Sequence, residues 1–147
     1  LGQNPYDNSI LYTDYVLKEI YDYAKERLNL QAMVYFSDHG AEVGVKRSPY
    51  FNSFKSIRIP FFVWLSNKYK EMYPETAMNL VNNQDKYFVN DFIFDFMMGL
   101  FQVESNKIDK TNDISSNVYN HTKNTLFTNL GNVCLSEEDE YENNKKI

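Results

Sequence analysis

Residues 32–40 read Ala32-Met33-Val34-Tyr35-Phe36-Ser37-Asp38-His39-Gly40, and the reading of the whole chain turns on them. Met33 to Phe36 form an apolar, partly β-branched run, which is the pattern of a buried strand. The run stops at Ser37. A carboxylate and an imidazole follow side by side, and Gly40 supplies the backbone freedom that a sharp exit needs. In open α/β sheets, ligands bind just beyond the carboxyl ends of the strands. Asp38 and His39 stand at such a place, and their donor chemistry suits Zn²⁺, with Mn²⁺ as a second choice. The same dipeptide also serves as an ordinary polar turn that closes a strand.

Upstream, Asn4-Pro5-Tyr6-Asp7-Asn8 is turn-forming, and Asp7, Asn8 and Ser9 are good caps, so a helix is predicted over 9–27. Ile10, Val16, Leu17, Ile20, Ala24 and Leu28 recur on it as an apolar stripe. Asp14, Lys18, Glu19, Asp22, Lys25 and Glu26 take the wet side, and Lys18 can pair with Asp22 four residues on. Asn29 is the expected cap at the far end. Tyr6 and Asp7 either pack and cap or face a site. A helix feeding directly into a buried strand, here 31–36, is the second half of a βαβ unit with its first strand missing.

Downstream, residues 41–56 (AEVGVKRSPYFNSFKS) hold no clean period and read as a loop. The loop carries Lys46, Arg47 and Lys55. Beside a metal such cations hold phosphate or sulfate, Arg through a fork of donors; away from one they are a solvated basic loop. A second apolar run predicts a strand over 58–65, neighbouring the first, with Pro60 marking an edge, a bulge or the strand's start. Residues 68–83 read as helix interrupted at Pro74. Val89-Asn90-Asp91 caps a helix over 90–101, where Phe92, Ile93, Phe96, Met97, Leu100 and Phe101 imply burial on most sides and Gly99 a close-packing point. From Glu104 the chain turns polar. Leu126-Phe127 and Leu130 suggest a short strand or an extended tail, His121 reads as a surface residue, and Ser136 to Ile147 as a frayed, solvated terminus.

Composition narrows the class. At 147 residues and 43% hydrophobic, the chain is long and apolar enough for one domain with a real core, and it is not a disordered one. A net charge of −5 argues against a nucleic-acid binder that works by neutralising phosphates. The single Cys134 excludes an internal disulfide. No apolar stretch approaches the roughly 18–20 residues of a membrane span, and Leu1 to Pro5 lack the basic start and apolar run of a signal peptide.

The order Tyr6-Asp7-Asn8-Ser9-Ile10, Tyr12-Thr13-Asp14-Tyr15, then YFSDHG at 35–40 and IPFFVW at 59–64 resembles the carboxyl-terminal part of the phosphoethanolamine transferases, in the sulfatase-like branch of the alkaline phosphatase superfamily. The resemblance covers about residues 4–101, with a weaker continuation near Asp113. It implies an α/β fold, a partial alkaline phosphatase/sulfatase-like sandwich whose sheet is flanked by helices. Residues 1–103 would be the carboxyl-terminal portion of the catalytic domain. Residues 104–147 would be a polar extension and acidic tail, in the same domain or partly disordered.

Family enzymes of this kind move phosphoethanolamine from a phospholipid donor onto a threonine, and then onto a cell-surface lipid or glycan acceptor. The resemblance implies that Asp38 and His39 ligate a catalytic zinc and that Arg47 contacts phosphate. It places the nucleophile and a further metal carboxylate before Leu1, so that this chain would be a piece of a longer protein anchored in the inner membrane and facing the periplasm. The missing amino-terminal part of the same protein is then an expected partner, with self-association through exposed sheet or helix faces, and no nucleic acid. The chain departs from the family at two places. Ala41 follows the glycine where Glu is usual, with Glu42 one residue late. Tyr50, Phe51 and Asn52 occupy the stretch where the family has a histidine, and Asn52 can hydrogen-bond a phosphate but cannot act as a general acid. A sulfatase- or phosphatase-like hydrolase, or a module that keeps the fold without the chemistry, are the alternatives.

Overall fold

The computed structural model describes residues 5–41, 54–128, 133–138 and 140. The first helix, α1, spans Pro5–Arg27 and begins four residues before the predicted start. Pro5 explains the difference: its fixed φ suits the first turn, where its missing N–H goes unneeded. The three expected caps, Asp7, Asn8 and Ser9, therefore lie inside the helix, and the Ser9 hydroxyl bonds backwards, donating to the Tyr6 carbonyl at 2.7 Å, as Thr13 does to Ser9 at 2.9 Å. The far end is as the sequence implies. Asn29 adopts a left-handed φ of 51°, and the amides of Leu28 and Leu30 both return to the Ala24 carbonyl.

Strands β1 (Ala32–Phe36) and β2 (Phe61–Leu65) pair antiparallel, with Ala32 opposite Leu65 and Phe36 opposite Phe61. The two predicted strands are therefore neighbours. β2 starts directly after Pro60, which has no N–H to give a ladder, so the predicted boundary at 58 moves inward. The βαβ reading puts its first strand ahead of α1, outside the described residues, and the antiparallel pairing of β1 with β2 is a separate connection.

The sheet separates two layers. On one face Ala32, Val34, Phe61 and Val63 pack onto a core of Leu65, Tyr69, Phe96, Leu100, Ile114 and Tyr119. On the other, Tyr35 stacks on Phe62 at 5.3 Å and Trp64 meets Tyr21 of α1 edge-on at 5.1 Å. The mixed architecture, a small sheet with helices against it, agrees with the expected fold class. The apolar stripe of α1 is only partly used, with Ala24 its one buried residue. Ile10, Ile20 and Leu28 stay exposed, since a sheet two strands wide covers little of a helix of 23 residues.

Beyond β2, Ser66 caps α2 (Asn67–Met72) by accepting the Tyr69 amide, and Pro74 opens α3 (Pro74–Asn83) after a break at Tyr73. Both features match the predicted interruption. The next segment enters as a 3₁₀ turn, Asn90–Phe92, before α4 (Ile93–Leu100), and neither start has a side-chain cap. α4 is less enclosed than its composition suggests. Phe96 and Leu100 are buried, but Phe94 and Phe101 face outward. Gly99 is the close-packing point: a Cβ there would fall on the Asp113 carboxylate.

Polar composition after Glu104 does not keep that segment outside the core. Asp113, Ile114, Ser115, Tyr119 and Leu126 are buried. The polar members are satisfied locally, Asp113 Oδ1 accepting from the Ser115 amide at 2.8 Å and hydroxyl at 2.6 Å. Asn83 donates to the carbonyls of Ile114 and Ser116, and the Tyr119 hydroxyl donates to the Tyr87 carbonyl. A short antiparallel pair, β3 (Phe127–Thr128) with β4 (Val133–Cys134), realises the expected strand. The terminus is not wholly frayed. Glu138 is nearly enclosed, its side chain 11% exposed, and it joins Arg58 and Lys123. The acidic row concealed this, because one carboxylate among several looks solvated until its cations are known.

Candidate functional site at the end of β1

β1 ends at Phe36, and the next four residues fold into a tight polar turn. The Ser37 hydroxyl donates to the His39 carbonyl at 2.7 Å. The His39 amide donates to Asp38 Oδ1 at 3.0 Å. His39 Nδ1 lies 2.6 Å from the Gly40 carbonyl oxygen. A carbonyl only accepts, so Nδ1 carries the proton and the neutral ring keeps its lone pair on Nε2. That nitrogen stands 3.7 Å from Asp38 Oδ1. The Asp38 side chain is 83% exposed and that of His39 42%.

Gly40 is required here for a reason the sequence did not reveal. Its backbone is not left-handed; instead the chain at 55–58 passes against it. A Cβ would press on the Arg58 carbonyl and come within 2.9 Å of that of Ser56 and 3.0 Å of that of Lys55.

The donor set can be tested for zinc on chemistry and spacing. A carboxylate oxygen and an imidazole nitrogen whose other nitrogen is tied to a carbonyl are ordinary zinc ligands. Neighbouring ligands of a tetrahedral zinc with bonds of about 2.0–2.2 Å lie roughly 3.3–3.6 Å apart, and 3.7 Å is a small adjustment away. Two donors fit such a site without completing it. Among the described residues there is no group of three or more His, Cys, Asp or Glu side chains that could hold an ion. Arg47 and Asn52, the expected substrate contacts, lie outside the described residues, as do Lys46 and Glu42. Lys55 is described and exposed.

Two residues near this region were not singled out from sequence. Asn90, read only as a cap, donates its side-chain amide to the carbonyls of Ser37 at 3.0 Å and Asp38 at 3.1 Å. Its partners lie more than fifty positions away, and no local signal announces them. Glu138 ties the tail to Arg58, whose own carbonyl is among those that crowd Gly40. Burial pushes its carboxyl up, but the hydrogen bonds from Lys123 and Arg58 outweigh this and hold it below the usual range. His121 is half-buried, stacked near Phe92 at 4.6 Å with Nε2 3.1 Å from the Asn112 side-chain oxygen, and it does not join Asp38 and His39.

The sulfatase family model matches residues 3–103. Phosphoethanolamine transferase EptA of Escherichia coli K12 is 29% identical over 121 residues, covering 76% of this chain and 22% of that protein. The EptA of Helicobacter pylori is 31% identical over 104 residues, covering 67% of this chain and 19% of its own length. A putative transferase of Escherichia coli K12, YhbX, is 30% identical over 105 residues. The chain spans about a fifth of the length of the curated relatives it matches. No solved structure matches it.

Proposed function

This chain belongs to the sulfatase family, and on that premise we propose that it is part of a metal-dependent transferase. The group moved is phosphoethanolamine or a similar phosphoryl group, taken from a phospholipid and passed to a cell-surface lipid or glycan. The observation that carries the reading is the pair at the end of β1, with His39 Nδ1 committed to Gly40 and Nε2 3.7 Å from Asp38, without a hydrogen bond among the described residues. The relatives named phosphoethanolamine transferases support the choice of group. Asp38 and His39 are the residues that hold zinc, or manganese in its place. When bound, the ion lowers the pKa of a coordinated hydroxyl and offsets charge on phosphoryl oxygens. Asp38 contributes the anionic ligand. The Gly40 carbonyl keeps His39 in the tautomer that can ligate. Arg47 forks onto the phosphoryl oxygens and Asn52 donates a hydrogen bond to them. The nucleophilic threonine and the remaining ligands come from sequence before this chain. No helix among the described residues is long and apolar enough to cross a membrane, and the proposed placement, at the inner membrane facing the periplasm, relies on a segment outside it.

Titration of Zn²⁺ against a competing chromogenic chelator tests the proposal, on the protein at its natural length and on residues 1–147 alone. A catalytic zinc takes about three protein ligands, so the long form binds tightly and the short form weakly. Asp38→Ala and His39→Ala abolish tight binding. If both variants bind zinc as the wild type does, the pair is a strand-closing turn and the non-catalytic module is the better reading.

A further inference from the structure

The carbonyls of Ser37 and Asp38 lie past the last pair of the β1–β2 ladder, Phe36 with Phe61, so no strand amide serves them. One side chain serves both. The Asn90 amide nitrogen reaches the Ser37 carbonyl at 3.0 Å and the Asp38 carbonyl at 3.1 Å, and its two N–H bonds suffice for one each. Asn90 belongs to the 3₁₀ turn that leads into α4. That helix is fixed in the core by Phe96, which is fully buried, and Leu100. The exposed turn that carries Asp38 and His39 is thereby fastened to a helix seated in the core. The amide has a further peculiarity: Asn90 Oδ1 is buried and has no partner among the described residues. An unpaired buried acceptor opposes folding. The two bonds that the same amide gives to the turn offset that cost.

We propose that Asn90 is a positioning residue for the ligand pair, setting the path of the chain through Ser37 and Asp38 and so the spacing of Asp38 Oδ1 from His39 Nε2. It does not touch the metal or the substrate. The inference rests on the zinc reading above. Other side chains do the task less well. Aspartate is the same size but turns acceptors toward two carbonyl oxygens, and alanine leaves both unserved. Groups that orient metal ligands from behind typically change metal affinity by about 10–100-fold when removed.

The test uses the protein at its natural length, with Zn²⁺ affinity measured by chelator competition and the Co²⁺-substituted absorption spectrum recorded as a second readout. Asn90→Ala and Asn90→Asp are expected to weaken zinc binding about 10–100-fold and to alter the Co²⁺ bands. Leu65→Ala serves as a control: the residue is buried and pairs with Ala32 at the end of the ladder away from the turn, so the change lowers the melting temperature through the core and should leave zinc affinity and the spectrum unchanged. Wild-type zinc affinity in both Asn90 variants overturns the proposal, and so does an equal loss in Leu65→Ala, which would make the effect one of general stability. Asp38→Ala separates the two failures. If Asp38→Ala loses zinc while the Asn90 variants keep it, only this inference falls. If all three keep it, the zinc reading falls as well.

Discussion

Gly40→Ala tests the geometry of the site without removing a ligand. The glycine is not in the left-handed region, so alanine meets no backbone strain, and the whole effect comes from contact. The new methyl group would press on the Arg58 carbonyl and crowd those of Ser56 and Lys55 at 2.9 and 3.0 Å. These are backbone atoms and cannot turn aside as a side-chain tip can. Overpacking of this kind costs about 1–3 kcal/mol. An unfolding entropy of about 2.1 cal/mol/K per residue gives, for 147 residues, about 0.3 kcal/mol/K. The melting temperature should then fall by roughly 3–10 °C, followed by circular dichroism. Gly99→Ala is the matched comparison, because its methyl group would meet the Asp113 carboxylate instead. Both variants should melt earlier, but only Gly40→Ala should also weaken Zn²⁺ binding, since only it displaces the turn carrying Asp38 and His39. An unchanged melting temperature in Gly40→Ala would refute the close approach of residues 55–58. Equal loss of zinc in the two would refute the local argument.

Glu138 has a lowered pKa, so its contribution to stability is complete above its ordinary value of 4.5 and is lost as pH falls through the lower folded value; Glu138→Gln should flatten the acid limb of a denaturation-against-pH curve, and an unaltered limb would exclude the ion triad. Asp113 has the opposite sign: burial raises it above 3.8 despite the hydrogen bonds from Ser115, so its contribution is present below 3.8 and lost as pH rises through the folded value, and Asp113→Asn should gain most stability above that window in urea titrations run at several pH values. Asn29→Ala removes the short polar side chain that lets residue 29 tolerate a φ of 51° and should cost about 1 kcal/mol, measured by urea denaturation; no change would mean that α1 ends otherwise. Leu11, Tyr12, Tyr15 and Tyr23 leave α1 with an exposed apolar face, and residues 1–147 alone should self-associate through it or through the sheet edge, a view that light scattering from a monomer at all concentrations would reject.

The sequence carried the fold furthest where local chemistry and tertiary demand agree. Asn29 tolerates a left-handed backbone, Pro74 cannot continue a helix, and Pro60 cannot donate to a ladder; each therefore marks a boundary whatever surrounds it. Ser9 shows the limit. Its hydroxyl has two local uses, capping forward or bonding back, and the choice depends on whether Pro5 has already begun the helix. Burial was harder to read. Ile10 and Phe94 are apolar and exposed, while Asp113 and Glu138 are charged types and buried. Hydropathy reports what a side chain prefers, whereas burial also depends on how much surface the neighbours supply and on which partners arrive from far along the chain.

The candidate site divides along the same line. Asp38 and His39 were legible because strand, carboxylate, imidazole and glycine are consecutive, so one local pattern places both donors at a strand end. What makes them a pair with defined spacing is not local. The path of the turn depends on Asn90 from the start of α4 and on the backbone of residues 55–58 against Gly40, two contacts that no periodicity encodes. The tautomer of His39 depends on a carbonyl one residue away, yet only geometry shows that the ring turns toward it. A candidate ligand pair can thus be found by its residue types, while on the zinc reading its affinity for an ion would depend also on groups that touch neither the ion nor the substrate. Variants that keep Asp38 and His39 but alter Gly40 or Asn90 therefore probe a part of the site that substitution of the ligands themselves cannot reach.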